Sequence, residues 1–376
     1  MNTKKERCII IPVVYFRSTS LKTWEHCNLR YMAEYCMGLR FPSGPAAVAG
    51  TVFHEVSEVL AICKKAQDEL EPGTRTYEDK EKNINISYED VNDIDIEKLS
   101  KDIYEYHINK IDPARVPKTY QRKTPEASVR AWIPFKKIQT SINNVMAMEP
   151  RNFDVRQMSI VATEQKFDIE LKEAWSKFDF KFKGKHYKGN LRLKGSIDLI
   201  VKGEDGGIEL IDWKTSAEDK SYEEASLDLQ LAMYYLVCKK YLGLDVRQVT
   251  VVYVNTGTCC SVVFDENFVL EKIRSVFEEM QSCTKPFKND SDDCVKFCPL
   301  CKRSFDEVDT LPKVRAREYN WIDDSGLEVK KTYRICGQLN LYLEQTDENG
   351  QQLYTPLQLM EILARKDMDL TAYTNT

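Results

Sequence analysis

The sequence predicts an α/β fold, and three observations predict it. Residues 195–214, "GSIDLIVKGEDGGIELIDWK", read as two apolar strands joined by a tight turn at Gly203, Glu204, Asp205, Gly206 and Gly207. The first is apolar around Ile197, Leu199, Ile200 and Val201, and the second around Ile208, Leu210 and Ile211. A helical stretch and then a further strand follow at short spacing, which is the cadence of a sheet flanked by helices.

Taken in order, residues 18–41 read as a helix behind the cap "STS", with Leu21, Trp24, Leu29, Met32 and Ala33 on an apolar stripe. The Pro/Gly loop "FPSGPAAVAG" leads to a helix over about 50–65. There Val52, Val56, Val59 and Cys63 mark the buried side, while His54 and Glu58 lie one turn apart on another face. Residues 67–105 hold thirteen acids against five bases, which reads as a solvated insertion with short helices; the insertion runs to about 150. Residues 110–137 reverse the sign, with eight bases against two acids and with Tyr120 and Trp132 interleaved. That pattern, which includes Arg122, Lys123 and Arg130, fits either a surface tracking a single nucleic-acid strand or a plain solvated face. Strands are expected over 158–171, carrying Glu164, then over 189–201 and 207–214. A helix over 222–241, a strand over 247–255, a short strand over 260–264 and a helix over 266–282 complete the region. From 311 to 376 a hairpin-like stretch and a final helix form a C-terminal α+β extension of unknown role.

The two apolar strands carry Asp198, Asp212 and Lys214. Buried carboxylates are costly unless paired or metal-bound, so this grouping reads as a site. Hard oxygen donors suit Mg²⁺ or Mn²⁺. A lysine two residues beyond a carboxylate shares its strand face and can orient a water or offset developing charge, as phosphodiester hydrolysis requires.

Asp198 followed by Asp212-x-Lys214 resembles the carboxylate…(D/E)-x-K signature of the PD-(D/E)xK nuclease superfamily. Gln230 and Tyr234 in "LDLQLAMYYLV" resemble the QxxxY helix of its RecB-like branch, and His54 in "GTVFHEVSEVL" resembles the upstream metal-ligand histidine of that branch. The resemblance covers about residues 18–301. It implies a restriction-endonuclease-like αβββαβ core within a nuclease domain over 1–310. It further implies a metal held by His54, Asp198, Asp212 and the Trp213 carbonyl, with Glu58 a partner of the imidazole. Lys214 would act as the catalytic lysine, and Gln230 and Tyr234 would hold the scissile strand and the active-site backbone. Glu164 falls where the branch carries a strand glutamate, either touching the site through water or lying on the surface. Cys294, Cys298 and Cys301 in "CVKFCPLC", with distant Cys27, resemble the cysteines that staple AddB-type and CRISPR-associated adaptation exonucleases. Four thiolates suit a [4Fe–4S] cluster or Zn²⁺. Their spacing, C-x3-C-x2-C, departs from the family's C-x2-C-x5-C, so plain reduced cysteines are the alternative.

The implied activity is a metal-dependent DNA nuclease, an exonuclease on single strands or ends. The alternatives are a structure-directed endonuclease or a non-catalytic DNA-binding scaffold that recruits a helicase. No nucleotide-binding loop of the Walker type occurs in the sequence, so a helicase or recombinase is expected in trans. With 42% hydrophobic and 30% charged residues and no signal-peptide cleavage pattern after "MNTKKERCIIIPVVYF", a cytoplasmic protein without membrane association is expected. The net charge of −5 argues against a uniformly basic nucleic-acid binder but leaves room for a local channel.

Overall fold

The computed structural model describes residues 11–38, 44–182, 184–203, 205–216, 219–283, 286, 298, 319–322, 328–331, 339 and 341–363. In chain order its strands are β1 (Tyr15–Arg17), β2 (Arg75–Asp79), β3 (Ile84–Tyr88), β4 (Ser159–Glu170), β5 (Lys177–Phe182), β6 (Lys185–Asn190), β7 (Arg192–Lys202), β8 (Ile208–Lys214), β9 (Val246–Tyr253), β10 (Thr258–Val262), β11 (Tyr319–Ile322) and β12 (Glu328–Lys331). The α-helices are α1 (Ser18–His26), α2 (Asn28–Tyr31), α3 (Pro45–Glu69), α4 (Ile96–Ile108), α5 (Pro125–Trp132), α6 (Phe135–Met146), α7 (Tyr222–Ser226), α8 (Leu229–Leu236), α9 (Glu266–Ser282) and α10 (Pro356–Leu363).

The chain divides into two compact units. One comprises residues 42–167 and 196–266, the other 1–41, 168–195 and 267–376. The first holds the mixed sheet: β8 pairs antiparallel with β7 (Leu199 opposite Ile211) and parallel with β9 (Asp212 opposite Val251), β9 pairs antiparallel with β10, and β4 pairs with β7. This is the α/β fold, with a restriction-endonuclease-like central sheet, that the apolar strands predict. β8 carries Leu210, Ile211 and Trp213 at 3% exposure or less, because it is central and covered on both faces. In the second unit the start of β7 pairs parallel with β1 (Phe16 opposite Leu193), and Phe16 meets Phe277 of α9 edge to face.

Helix α3 is the main wall of the site-bearing unit. Val52, Phe53, Val56, Val59, Leu60 and Cys63 recur at helical spacing and pack with α4 and α6 residues and with Leu199, Ile211 and Trp213 in one cluster. Each such buried side chain contributes roughly 1.5–3 kcal/mol. By length and hydropathy α3 is the one helix among the described residues that reaches membrane-spanning proportions, yet half of that apolar window is buried inside the protein. It is a core helix.

Two expected helices are broken, each for a local reason. The helix expected over 18–41 stops at Cys27, which is extended, and Asn28 Nδ2 takes the Trp24 carbonyl that a backbone N–H would otherwise bond. The helix expected over 222–241 stops at Leu227 and restarts under Asp228, whose carboxylate accepts from the N–H groups of Gln230 and Leu231. The acidic insertion contains the β2–β3 hairpin as well as helices, and Ile84, Tyr88, Leu99 and Ile103 anchor it to the core. A second unforeseen hairpin, β5–β6, buries Phe178, Phe180 and Phe182 on one face.

Candidate active site

Five elements of one unit deliver the site. The strands β7 and β8 supply Asp198 and the Asp212–Trp213–Lys214 run, α3 supplies His54, α8 supplies Gln230 and Tyr234, and β4 supplies Glu164. Trp213 fixes the end of β8 by packing its ring against Phe53 and Phe153 at 5.7 and 6.4 Å. Its backbone N–H donates to Asp198 Oδ2 at 2.8 Å, so the main chain of one strand aims the carboxylate of the next.

Asp212 is 1% exposed. Its Oδ1 accepts from Gln230 Nε2 at 3.3 Å, and its Oδ2 lies 2.6 Å from Lys214 Nζ. Both oxygens of this buried carboxylate are thus engaged from within the site, one by an amide and one by an ammonium. Gln230 is the hub of the arrangement: its Oε1 accepts from Lys214 Nζ at 3.0 Å and its Nε2 also donates to Tyr234 OH at 2.8 Å. Tyr234 is buried and its ring meets Phe167 edge to face.

His54 Nδ1 sits 3.6 Å from Asp198 Oδ2 and 3.8 Å from Glu164 Oε1. One donor atom from each of His54, Glu164 and Asp198 lies within 4.8 Å of the others. Donors on one small hexacoordinate cation stand about 3 Å apart when adjacent and about 4.2 Å when opposite. The cluster of His54, Glu164 and Asp198 therefore fits a hard divalent cation, while Asp212 stands beside it, tied to Lys214 and Gln230. Glu164 is held by Ser196 Oγ, which donates to its Oε2 at 2.9 Å, and it occupies the left-handed region at φ 44°.

The electrostatics match. Burial, with the neighbouring Asp212 charge behind it, pushes the Asp198 carboxyl up to about 7. Burial works against charge on Lys214, but Asp212 and then Asp198 outweigh it and hold the ammonium well above its ordinary value. His54 is likewise raised: burial opposes protonation, while Glu164, Asp198 and Asp212 favour it. Glu164 moves the other way: although burial opposes its charge, His54 and Ser196 hold its carboxyl below the ordinary value.

Beside the cluster lies an open cleft of about 530 Å³, lined by residues that include His54, Glu55, Glu58, Glu164, Lys166 and Thr215. Glu58 faces this cleft, with its carboxyl raised by burial and then by the Glu164 and Glu55 charges. Sequence reasoning missed Lys166, which is exposed two residues beyond Glu164 in a Glu-x-Lys echo of the β8 pattern. It also missed the role of Gly50, where a Cβ would come within 2.8 Å of Thr215 Oγ1. Any side chain at this position would have to push the Thr215 hydroxyl aside.

The other predicted residues lie elsewhere. Arg130 is paired with Glu105, at 2.5 Å from Nη1 to Oε1. The Arg122 guanidinium donates to the Thr119 and Gln121 carbonyls, at 3.4 and 2.9 Å. Lys123 is exposed. Cys27 and Cys298 are buried in the other unit, where Cys298 is near enough to act on the Arg30 guanidinium. Cys294 and Cys301 lie outside the described residues.

Comparison with known proteins agrees with this geometry. The family model of the PD-(D/E)XK nuclease superfamily matches residues 18–303, and the chain belongs to that superfamily. No curated protein matches the sequence. Among solved structures, the chain described as the crystal structure of SSO0001 is 21% identical, with a TM-score of 0.19. The match covers 36% of this chain and 56% of that one.

Proposed function

We propose that the protein is a Mg²⁺- or Mn²⁺-dependent DNA exonuclease of the RecB-like branch, acting on single strands or ends during recombination, repair or replication. The observation that carries this reading is the convergence of His54, Glu164 and Asp198 beside the Asp212–Lys214–Gln230 network. Under this reading His54, Asp198, Asp212 and the Trp213 carbonyl hold the cation, with Glu164 beside them and Glu58 in the adjoining cleft. A bound divalent cation supplies Lewis-acid activation of the scissile phosphate and of a water. Lys214 orients that water and offsets charge as it develops on the phosphate oxygens. Gln230 holds the lysine to the carboxylate, and Tyr234 holds Gln230. Lys123 and the other bases of 110–137 would meet the DNA backbone.

The nuclease domain in this proposal spans 1–310, with 311–376 an extension. Cys27, Cys294, Cys298 and Cys301 would ligate a [4Fe–4S] cluster, or Zn²⁺ in its place. The burial of Cys27 and Cys298 in one unit supports that reading. Protein purified without oxygen should then absorb near 400 nm, an absorbance that Cys298→Ser removes. A helicase or recombinase would supply strand separation in trans.

Incubation of 5′- and 3′-labelled single- and double-stranded DNA with Mg²⁺ or Mn²⁺ tests the function. Progressive shortening from one end supports it. Discrete internal products would replace it with a structure-directed endonuclease, and binding without cleavage would leave a scaffold.

A further inference from the structure

The acidic insertion contains a second groove, whose lining includes none of His54, Glu164 and Asp198. An open cleft of about 870 Å³ is lined by Ile84, Asn85, Ile86 and Ser87 of β3, by the hairpin turn, and by α4 with the residues leading into it. No β2 residue lines it, so it runs along the side of β3 turned away from its partner. Among the described residues β3 pairs with β2 alone. The strand therefore presents the outward N–H and C=O groups of an edge.

Protection of the two strands of this hairpin differs. β2, "RTYED", carries charges along its length, the usual device against unwanted pairing. β3, "INISY", has no charge and no proline, and its outward side chains are Asn85 and Ser87. A bare edge along an open groove is the arrangement that accepts an added strand. The opposite wall sets what that strand must be. Asp93, Asp95, Asp102 and Glu105 face the groove along the α4 side, against Lys98. Glu105 is already held by Arg130, and Asp95 caps α4 by accepting from the Lys98 N–H, whereas Asp93 and Asp102 make no ion pair among the described residues. At the far end, Glu81 of the turn is tied to Tyr106 of α4 and to Lys110 just beyond it, which holds the two walls together.

We propose that this groove docks an extended, lysine- or arginine-rich segment of a partner protein as a third strand on β3, its basic side chains meeting Asp93 and Asp102. The partner's backbone pairs with β3, and alternate side chains reach the α4 wall, since successive residues of a strand point to opposite sides. A wall of carboxylates repels phosphate, which separates this face from any DNA-binding surface.

The test uses the full chain and a fluorescent nine-residue peptide alternating lysine and valine, at low salt, followed by anisotropy and by hydrogen exchange. The peptide should bind, its glutamate–valine counterpart should not, and the amides of residues 84–88 should gain protection. Asp93→Asn with Asp102→Asn should weaken binding at least tenfold and leave cleavage of DNA unchanged. Equal binding to that variant, or binding with no protection of residues 84–88, would overturn the proposal.

Discussion

The two ends of β8 each bury a carboxylate, and the structure treats them in opposite ways. Glu209, 7% exposed, is fully answered: Arg151, Gln248 and Thr250 donate to it at 2.9, 3.0 and 2.5 Å. Although burial opposes ionisation there, Arg151 and Thr250 prevail and its carboxyl is held below the ordinary value. Three residues on, Asp212 is held by Lys214 and Gln230, but its charge stands beside a second buried carboxyl, Asp198, which is pushed up to about 7. One end of the strand thus carries a lone carboxylate balanced by its donors, and the other a pair of acids that crowd each other. The company a buried acid keeps, more than burial, separates a structural acid from a functional one.

The largest effect that can break this comparison is on catalysis. Asp212→Asn and Lys214→Ala should each lower the cleavage rate by about a thousandfold or more, and the double variant should be no worse than either alone, because the members act as a unit. Circular dichroism should show both folded. In contrast, Arg151→Ala should leave the rate per folded molecule unchanged while lowering unfolding free energy by about 1–3 kcal/mol, the usual result of stripping a donor from a buried acceptor. Near-normal cleavage by Lys214→Ala would erase the distinction.

A smaller effect sharpens it through pH. Without metal, the raised Asp198 contributes stability that is present below its unfolded pKa near 3.8 and is lost as pH rises through about 7. The depressed Glu209 has the opposite sign: its contribution is present above its unfolded pKa near 4.5 and is lost as pH falls through the folded value. Melting temperature in EDTA should therefore fall between about pH 4 and about pH 7 for the wild type, and Asp198→Asn should flatten that fall. Saturating Mn²⁺ should flatten it too, since a cation rewards the ionised form. A curve insensitive to both would show that Asp198 titrates normally.

The smallest effect concerns the cleft mouth. Lys166→Ala should raise KM for DNA about threefold to tenfold with little change in kcat, as expected for a phosphate contact made equally in ground and transition states. An unchanged KM would return Lys166 to the solvent-exposed surface.

Much of this site was legible because charge stands out against an apolar strand. Asp198, Asp212 and Lys214 interrupt runs of Ile, Leu and Val, and the spacing of Gln230 and Tyr234 places them on one helix face. Lys166 and Gly50 were not legible. An exposed lysine in a chain with 54 Lys and Arg carries no signal, and the meaning of Gly50 lies in its distance to Thr215, a contact between residues far apart in sequence. Of the two hairpins, β5–β6 left a readable trace in its alternating Phe178, Phe180 and Phe182. β2–β3 left almost none, since "RTYED" has the composition of a loop and becomes a strand only by pairing with β3. The break before Gln230 follows from Asp228, whose capping preference was present in the sequence but outweighed by the apolar run on either side.

Glu164 holds a backbone conformation, φ 44°, that glycine adopts freely and other residues adopt at a cost of about 1–3 kcal/mol. Its presence there sets durability against use. Glu164→Gly would relax the backbone and remove a carboxylate from beside His54 in the same stroke. A library of variants screened only for heat resistance would accept that change, while a screen that also demanded DNA cleavage would reject it.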